Sequence, residues 1–195
     1  MGKWTRAEIE EAIDNYKEIA LEAGTSGDWN AWADLFTEDA TYVEHLFGVM
    51  GGREAIRRWI TKTMSQYPND QMQYFPWEWY IVDEERGWVV AQIWNRMVDP
   101  GDGSLHQSYN FTLLKYAGNM RWSYEEDIYN PKPFQDMIQG SGAVCTLQLS
   151  GMLRREGYRY RSIVGHAEDE DLWRELENCT RAMDIARSLR GLVGG

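Results

Sequence analysis

The sequence predicts an α+β fold in which a curved, mostly antiparallel sheet wraps over N-terminal helices. Three features carry this. Apolar residues recur at helical spacing at the start of the chain, four β-rich runs follow one another between residues 72 and 128, and the links joining those runs are short and turn-rich. Short links join antiparallel neighbours, whereas parallel neighbours need a crossover. Helices first and a strand meander after is an α+β layout.

Thr5-Arg6-Ala7-Glu8 reads as a capping box. Behind it Ile9, Ala12, Ile13, Tyr16, Ile19 and Ala20 form one helical stripe that stops near Gly24. Asp28 caps a short helix with Trp29, Trp32, Ala33 and Phe36 on one side, and Ala40–Phe47 reads as a strand. Gly51-Gly52 breaks the chain before a third helix, Arg53–Met64, with Ile56, Trp59 and Ile60 inward. The β-rich runs are Met72–Val82, Trp88–Val98, Leu105–Tyr116 and Met120–Ile128. Asn130-Pro131-Lys132-Pro133 closes this unit, so residues 1–130 are expected to form one domain. Residues 131–195 form an extension too short for a good core of its own, with a helix over about Glu168–Leu189. That extension is expected to pack on the first domain or on a partner subunit.

Composition narrows the function. Basic residues number 20 and acidic residues 31, a net charge of −11 that repels phosphate backbones and anionic lipid, so neither nucleic acid nor a membrane is expected as partner. Ten Trp and eleven Tyr suit a wide core or an aromatic-lined cavity. Cys145 and Cys179 lack a CxxC spacing, no leader is recognisable and no apolar run approaches a bilayer span, which predicts a soluble, cytoplasmic chain. With three His (His45, His106, His166) in no metal-ligand spacing, and no GxGxxG, Walker or GxSxG motif, neither metal nor cofactor is expected.

The stretch Asp28-Trp29-Asn30-Ala31-Trp32-Ala33-Asp34-Leu35-Phe36-Thr37-Glu38-Asp39-Ala40-Thr41-Tyr42, followed by Gly52-Arg53-Glu54-Ala55-Ile56, resembles SnoaL-like proteins of the nuclear transport factor two-like superfamily. The resemblance covers about residues 5–130 and implies a cone-shaped sheet around one deep pocket, commonly in a homodimer or larger assembly. The superfamily hosts isomerases, dehydratases, cyclases, epoxide hydrolases, lyases and binding proteins. Within it, Val43-Glu44-His45-Leu46-Phe47-Gly48 is similar to a steroid Δ-isomerase segment in which an Asp, the general base, stands where His45 stands here. Asn110 aligns with that family's oxyanion-binding Asp, and the first-helix oxyanion Tyr aligns with Lys17, one residue from Tyr16.

The residues support related chemistry. An imidazole titrates near neutral pH, so His45 is the candidate proton shuttle, and the Asn110 amide can donate to a developing oxyanion. His106, on the Asn110 face, and Asp127 and Arg96 are candidate assistants. Glu125 and Asp127 alternate onto one face and could act as acid and base, with solvated edge charges as the alternative. Candidate substrate contacts are Tyr16, Trp32, Tyr42 and Phe47, together with Trp59, Trp77 and Trp94. The expected function is a cofactor-independent lyase, dehydratase, cyclase or isomerase acting on a bulky aromatic or polycyclic alcohol or carbonyl compound. Lignin-derived diaryl alcohols that lose formaldehyde and polyketide or steroid-like rings both suit it. The alternatives are a non-catalytic small-molecule-binding or interaction module and, through Arg96, an epoxide hydrolase.

Overall fold

The structure, a computed structural model, describes residues 2–142. The expected helix over 168–189 and Cys145, Cys179 and His166 lie outside the described residues. Two compact units are distinguished: one comprises residues 1–98 and 107–131, the other residues 99–106 and the chain from 132 onward.

In the first unit, helix α1 (Arg6–Ser26) starts where Thr5 accepts a hydrogen bond from the Glu8 amide and ends at Gly27, whose φ of 78° closes the last turn. Its buried stripe is Ile9, Ala12, Ile13, Tyr16, Ala20 and Ala23. Gly24 lets the helix approach the sheet: a Cβ there would lie 2.3 Å from the Gln73 carbonyl oxygen. Helix α2 (Asn30–Ala33) is a single turn, and α3 (Arg53–Met64) buries Ile56, Ile60 and Met64.

Seven strands form one sheet: β1 (Phe36–Glu44), β2 (Gly48–Gly51), β3 (Met72–Tyr74), β4 (Trp77–Asp83), β5 (Trp88–Met97), β6 (Gln107–Gly118) and β7 (Arg121–Ile128). The order is β2-β1-β7-β6-β5-β3, with β4 also pairing β5. Every pairing is antiparallel except β1 with β7, which is parallel. The α+β class and the curled, mostly antiparallel sheet stand as expected.

Three details differ from the sequence reading. The first strand begins at Phe36 and folds back on β2. The run Met72–Val82 divides at Phe75-Pro76, since proline cannot donate to a ladder. A helix over 131–142 follows β7, with Pro131 at its first position, where the missing N–H has no intrahelical partner to lose. Among the described residues no helix is long and apolar enough to cross a membrane.

The sheet's inner face carries Val89, Ala91, Ile93, Leu114, Tyr116 and Trp122, all buried, while Trp79, Ile81, Trp88, Val90, Tyr109 and Phe111 are exposed on the other. Phe36 and Trp122 are 0% exposed, so either one changed to Ala should cost about 3–5 kcal/mol in chemical denaturation. Ile81→Ala, at a position 65% exposed, should cost about 0.5 kcal/mol or less for the isolated chain in the same measurement.

Candidate functional site

Three neighbouring strands turn polar side chains to the inner face. Tyr42 and Glu44 come from β1, Glu125 and Asp127 from β7, and Ser108, Asn110 and Thr112 from β6. Parallel pairing sets Tyr42 beside Glu125 and Glu44 beside Asp127, and antiparallel pairing sets Thr112 beside Asp127. Helix α1 adds Tyr16.

Asp127 is held by three donors: the Asn110 amide and the Thr112 hydroxyl, each 2.6 Å from Oδ1, and the Tyr42 hydroxyl on Oδ2. Tyr16 donates to both oxygens of Glu125, at 3.0 and 3.1 Å. Glu44 Oε2 accepts the backbone N–H groups of Leu46 and Phe47, each at 2.7 Å, and Oε1 accepts the Tyr129 hydroxyl. None of the three carboxyls takes part in an ion pair among the described residues.

Burial without a cation sets the proton affinities. Glu125, 2% exposed, is raised well above the usual carboxylate range by loss of solvent and then by the Asp127 charge, against the pull of the Tyr16 and Tyr42 hydroxyls. Asp127 is raised as well, first by burial and also by Glu44, while Thr112, Tyr42 and Asn110 oppose the rise. Burial and the neighbouring carboxyls lift the Tyr16 and Tyr42 phenols too. Glu125 is buried, whereas Asp127 retains accessible surface. Two carboxyls thus differ in donors and access on one face, the arrangement that separates an acid from a base.

The expected proton shuttle is elsewhere. The inward residues of β1 are Ala40, Tyr42 and Glu44, so His45, just past the strand end, is turned out and exposed. Its Nε2 lies 3.0 Å from Glu126 on the outer side of β7. Glu126 is held below the usual range by the Tyr124 hydroxyl and then by His45. The expectation that His45 faces an enclosed hollow within reach of Asn110 is therefore corrected by one residue of strand parity.

Asn110 is inside and 6% exposed, but both its N–H bonds are committed, to Asp127 and, at 2.8 Å, to Thr112. It braces a carboxylate instead of offering a free oxyanion donor. Arg96 is on the opposite face and donates to Gln107 at 2.9 Å, so it does not pair with Asp127. His106 precedes β6, belongs to the second unit and bonds Ser104 at 2.8 Å.

Of the aromatic candidates, Tyr16, Trp32 and Tyr42 are buried together, with Trp32 6.0 Å from Tyr16 and 6.1 Å from Tyr42 between ring centres. Trp59 packs on Tyr42 at 4.8 Å and Trp77 on Tyr16 at 5.8 Å. Trp94 points outward, bonded to Glu78 and packed on the exposed Tyr109. Phe47 is 59% exposed at the turn after β1. Tyr129 was not anticipated; Glu44 and Tyr42, which strand alternation puts on the face opposite His45 and which therefore rank behind it in the sequence, are the residues that the structure turns inward.

A separate recess of about 390 Å³ lies at the start of α3 between Glu38, Gly52, Arg53 and Arg58, and holds none of these carboxyls. No group of three His, Cys, Asp or Glu among the described residues is placed to hold a metal ion.

The SnoaL-like domain profile matches residues 5–127, most of the chain and all three strands of the cluster. The chain belongs to the SnoaL-like domain family. No curated protein matches it by sequence. Among solved structures this SnoaL-like chain is similar to an NTF2-like protein from Anabaena variabilis, at 13% identity over 67% of this chain and 95% of that one, with a TM-score of 0.50. It is similar also to a Bacillus subtilis protein provisionally assigned as an isomerase, at 16% identity over 69% and 94%, with a TM-score of 0.53. The epoxide hydrolase/cyclase-like enzyme SalBIII, named for pyran ring formation in the polyether salinomycin, matches at 14% identity over 65% and 94%, with a TM-score of 0.49. These likenesses show the fold; the SnoaL-like chain's chemistry has to be argued from its own residues.

One consequence is measurable without a substrate. A carboxyl raised in the folded state binds its proton more tightly there, so folding carries no ionisation cost below the unfolded value of about 4.3, and stability is lost as pH rises toward the folded value. Glu125→Gln lacks this titration. Urea denaturation should show the wild type losing ground to Glu125→Gln as pH rises from 4 to 7, by up to about 1.4 kcal/mol per pH unit. A stability difference independent of pH would contradict the raised proton affinity of Glu125.

Proposed function

We propose that this SnoaL-like protein is a cofactor-independent acid–base enzyme, a lyase, dehydratase, cyclase or isomerase, with Asp127 as the group that takes and returns the proton. The observation that carries this is Asp127 itself: a carboxyl raised above its ordinary range, braced by Asn110, Thr112 and Tyr42, on a residue that is only half-buried. A base is most effective when its proton affinity matches the working pH. Glu125, its proton affinity raised by burial, and the Tyr16 phenol that donates to it form a second pair beside the first.

The surroundings support a substrate class. Among the described residues the carboxyls have no cation partner, so an anionic substrate would meet uncompensated repulsion from them, and a neutral molecule is favoured. Trp32, Trp59 and Trp77 surround the Tyr16–Tyr42 pair and offer flat apolar surface to rings. Among the described residues the indole N–H groups of Trp59 and Trp77 are buried with no acceptor, and each indole packs on a tyrosine of the cluster. A carbonyl or hydroxyl oxygen on the substrate would satisfy them, and the same donors would steady charge developing on that oxygen. The substrate is thus a bulky aromatic or polycyclic alcohol or carbonyl compound.

The test uses a panel of diaryl alcohols and polycyclic ketones in D2O, followed by NMR for elimination, isomerisation or deuterium uptake. Asp127→Asn should lower the rate by about 10²-fold or more, the usual worth of a positioned acid or base. His45→Ala should leave it within a factor of about two. Full turnover by Asp127→Asn would sink the proposal. Ligand binding with no turnover in the wild type would favour a binding module.

A second copy of the chain is the proposed partner. The outer face of β4, β5 and β6 exposes Trp79, Ile81, Val90, Tyr109 and Phe111 as one patch, and patches of this kind mark interaction surfaces. Light scattering should give a dimer for the wild type and a monomer for the double variant Ile81→Glu, Phe111→Glu. A wild-type monomer at micromolar concentration contradicts this assignment.

A further inference from the structure

The third carboxyl of the cluster, Glu44, has no role in the proton transfer just described, yet it accepts as many donors as Asp127. It sits at the last position of β1, 5% exposed, directly beside Asp127 in the parallel register and on the same inward face. One carboxyl oxygen accepts two backbone N–H groups, from Leu46 and Phe47, and the other accepts the Tyr129 hydroxyl. Two backbone amides and a phenol fix where this carboxyl lies beside Asp127.

We infer that Glu44 is a positioning residue whose fixed negative charge strengthens Asp127 as a base. The inference rests on the reading of Asp127 as the acid–base group. A carboxylate held by backbone donors on the neighbouring strand makes Asp127 bind its proton more readily. The groups facing Asp127 are Tyr42 and Glu44 from β1, Asn110 and Thr112 from β6, Glu125 on its own strand, and Tyr16 from α1 through Glu125. Tyr42, Asn110 and Thr112 lower the proton affinity of Asp127; Glu44 raises it, in addition to burial. Glu44 thereby offsets the donors that hold Asp127 in place. The turn Leu46-Phe47 that locks Glu44 then acts through it on the chemistry.

The experiment is a carboxyl-carbon NMR titration of the full chain labelled at Asp and Glu, with the Asp127 signal assigned by its loss in Asp127→Asn. In Glu44→Gln, which retains an oxygen to accept the two amides, the Asp127 midpoint should fall by about one pH unit or more. In Tyr129→Phe, which leaves the charge and its amides in place, the midpoint should stay at or above the wild-type value. An Asp127 midpoint unmoved in folded Glu44→Gln overturns the inference, and so does a fall in Tyr129→Phe. If Glu44→Gln does not fold, the wild-type titration decides: coupled groups give an Asp127 curve with a second step where the Glu44 signal titrates, and a single-step curve overturns the inference. The titration reads proton affinity without substrate, whereas the Asp127→Asn turnover assay reads catalysis, so failure of one is distinguishable from failure of the other.

Discussion

The parallel pairing of β1 with β7 is the constraint on which the rest of the site depends. It is the one parallel ladder in the sheet, and it places Tyr42 and Glu44 level with Glu125 and Asp127. A shift of one residue would exchange every inward side chain of β1 for an outward one, leaving Thr41, Val43 and His45 where the phenol and the carboxylate now stand. The carboxyls tolerate burial because the ladder also presents their donors: Tyr42 across one strand boundary, Asn110 and Thr112 across the other. Unpaired buried charge is costly, and here the hydrogen bonds from these donors offset part of that cost.

The outline of the fold was legible because strong local signals coincide. The capping box at Thr5, the stripe from Ile9 to Ala20 and the turn-rich links between strands each point to one structure, and together they specify helices followed by a meander. The site was less legible because strand direction does not determine which face is inward. On β6 the polar set Ser108, Asn110 and Thr112 reads as a solvated face, and the apolar set Tyr109 and Phe111 as the core. The structure reverses this: the polar set is buried and the apolar set exposed. Where β1, β7 and β6 meet, a polar lining inside and apolar residues outside invert the ordinary pattern, and strand parity turns His45 out and Glu44 in.

The Glu125–Asp127 alternation was visible in the sequence, but surface charge was its more ordinary explanation. What distinguishes the two is tertiary: the donors come from positions 16, 42, 110 and 112, far apart along the chain. The sequence shows the acids without showing the phenols and amides that make their burial tolerable. Proton affinity, access and substrate selectivity all derive from that convergence.

Strand β4 shows how little chain is needed to divide one element between two tasks. Trp77 and Trp79 are two apart and ought to share a side, but the pairing with β5 shifts between them. One indole therefore turns in to pack on Tyr16, and the other turns out to pack on Phe111. With regular pairing the two indoles would share one face, so the extra residue at position 78 is what lets them serve opposite sides of the sheet. A single added residue thus gives one short strand two kinds of neighbour without any change of side chain.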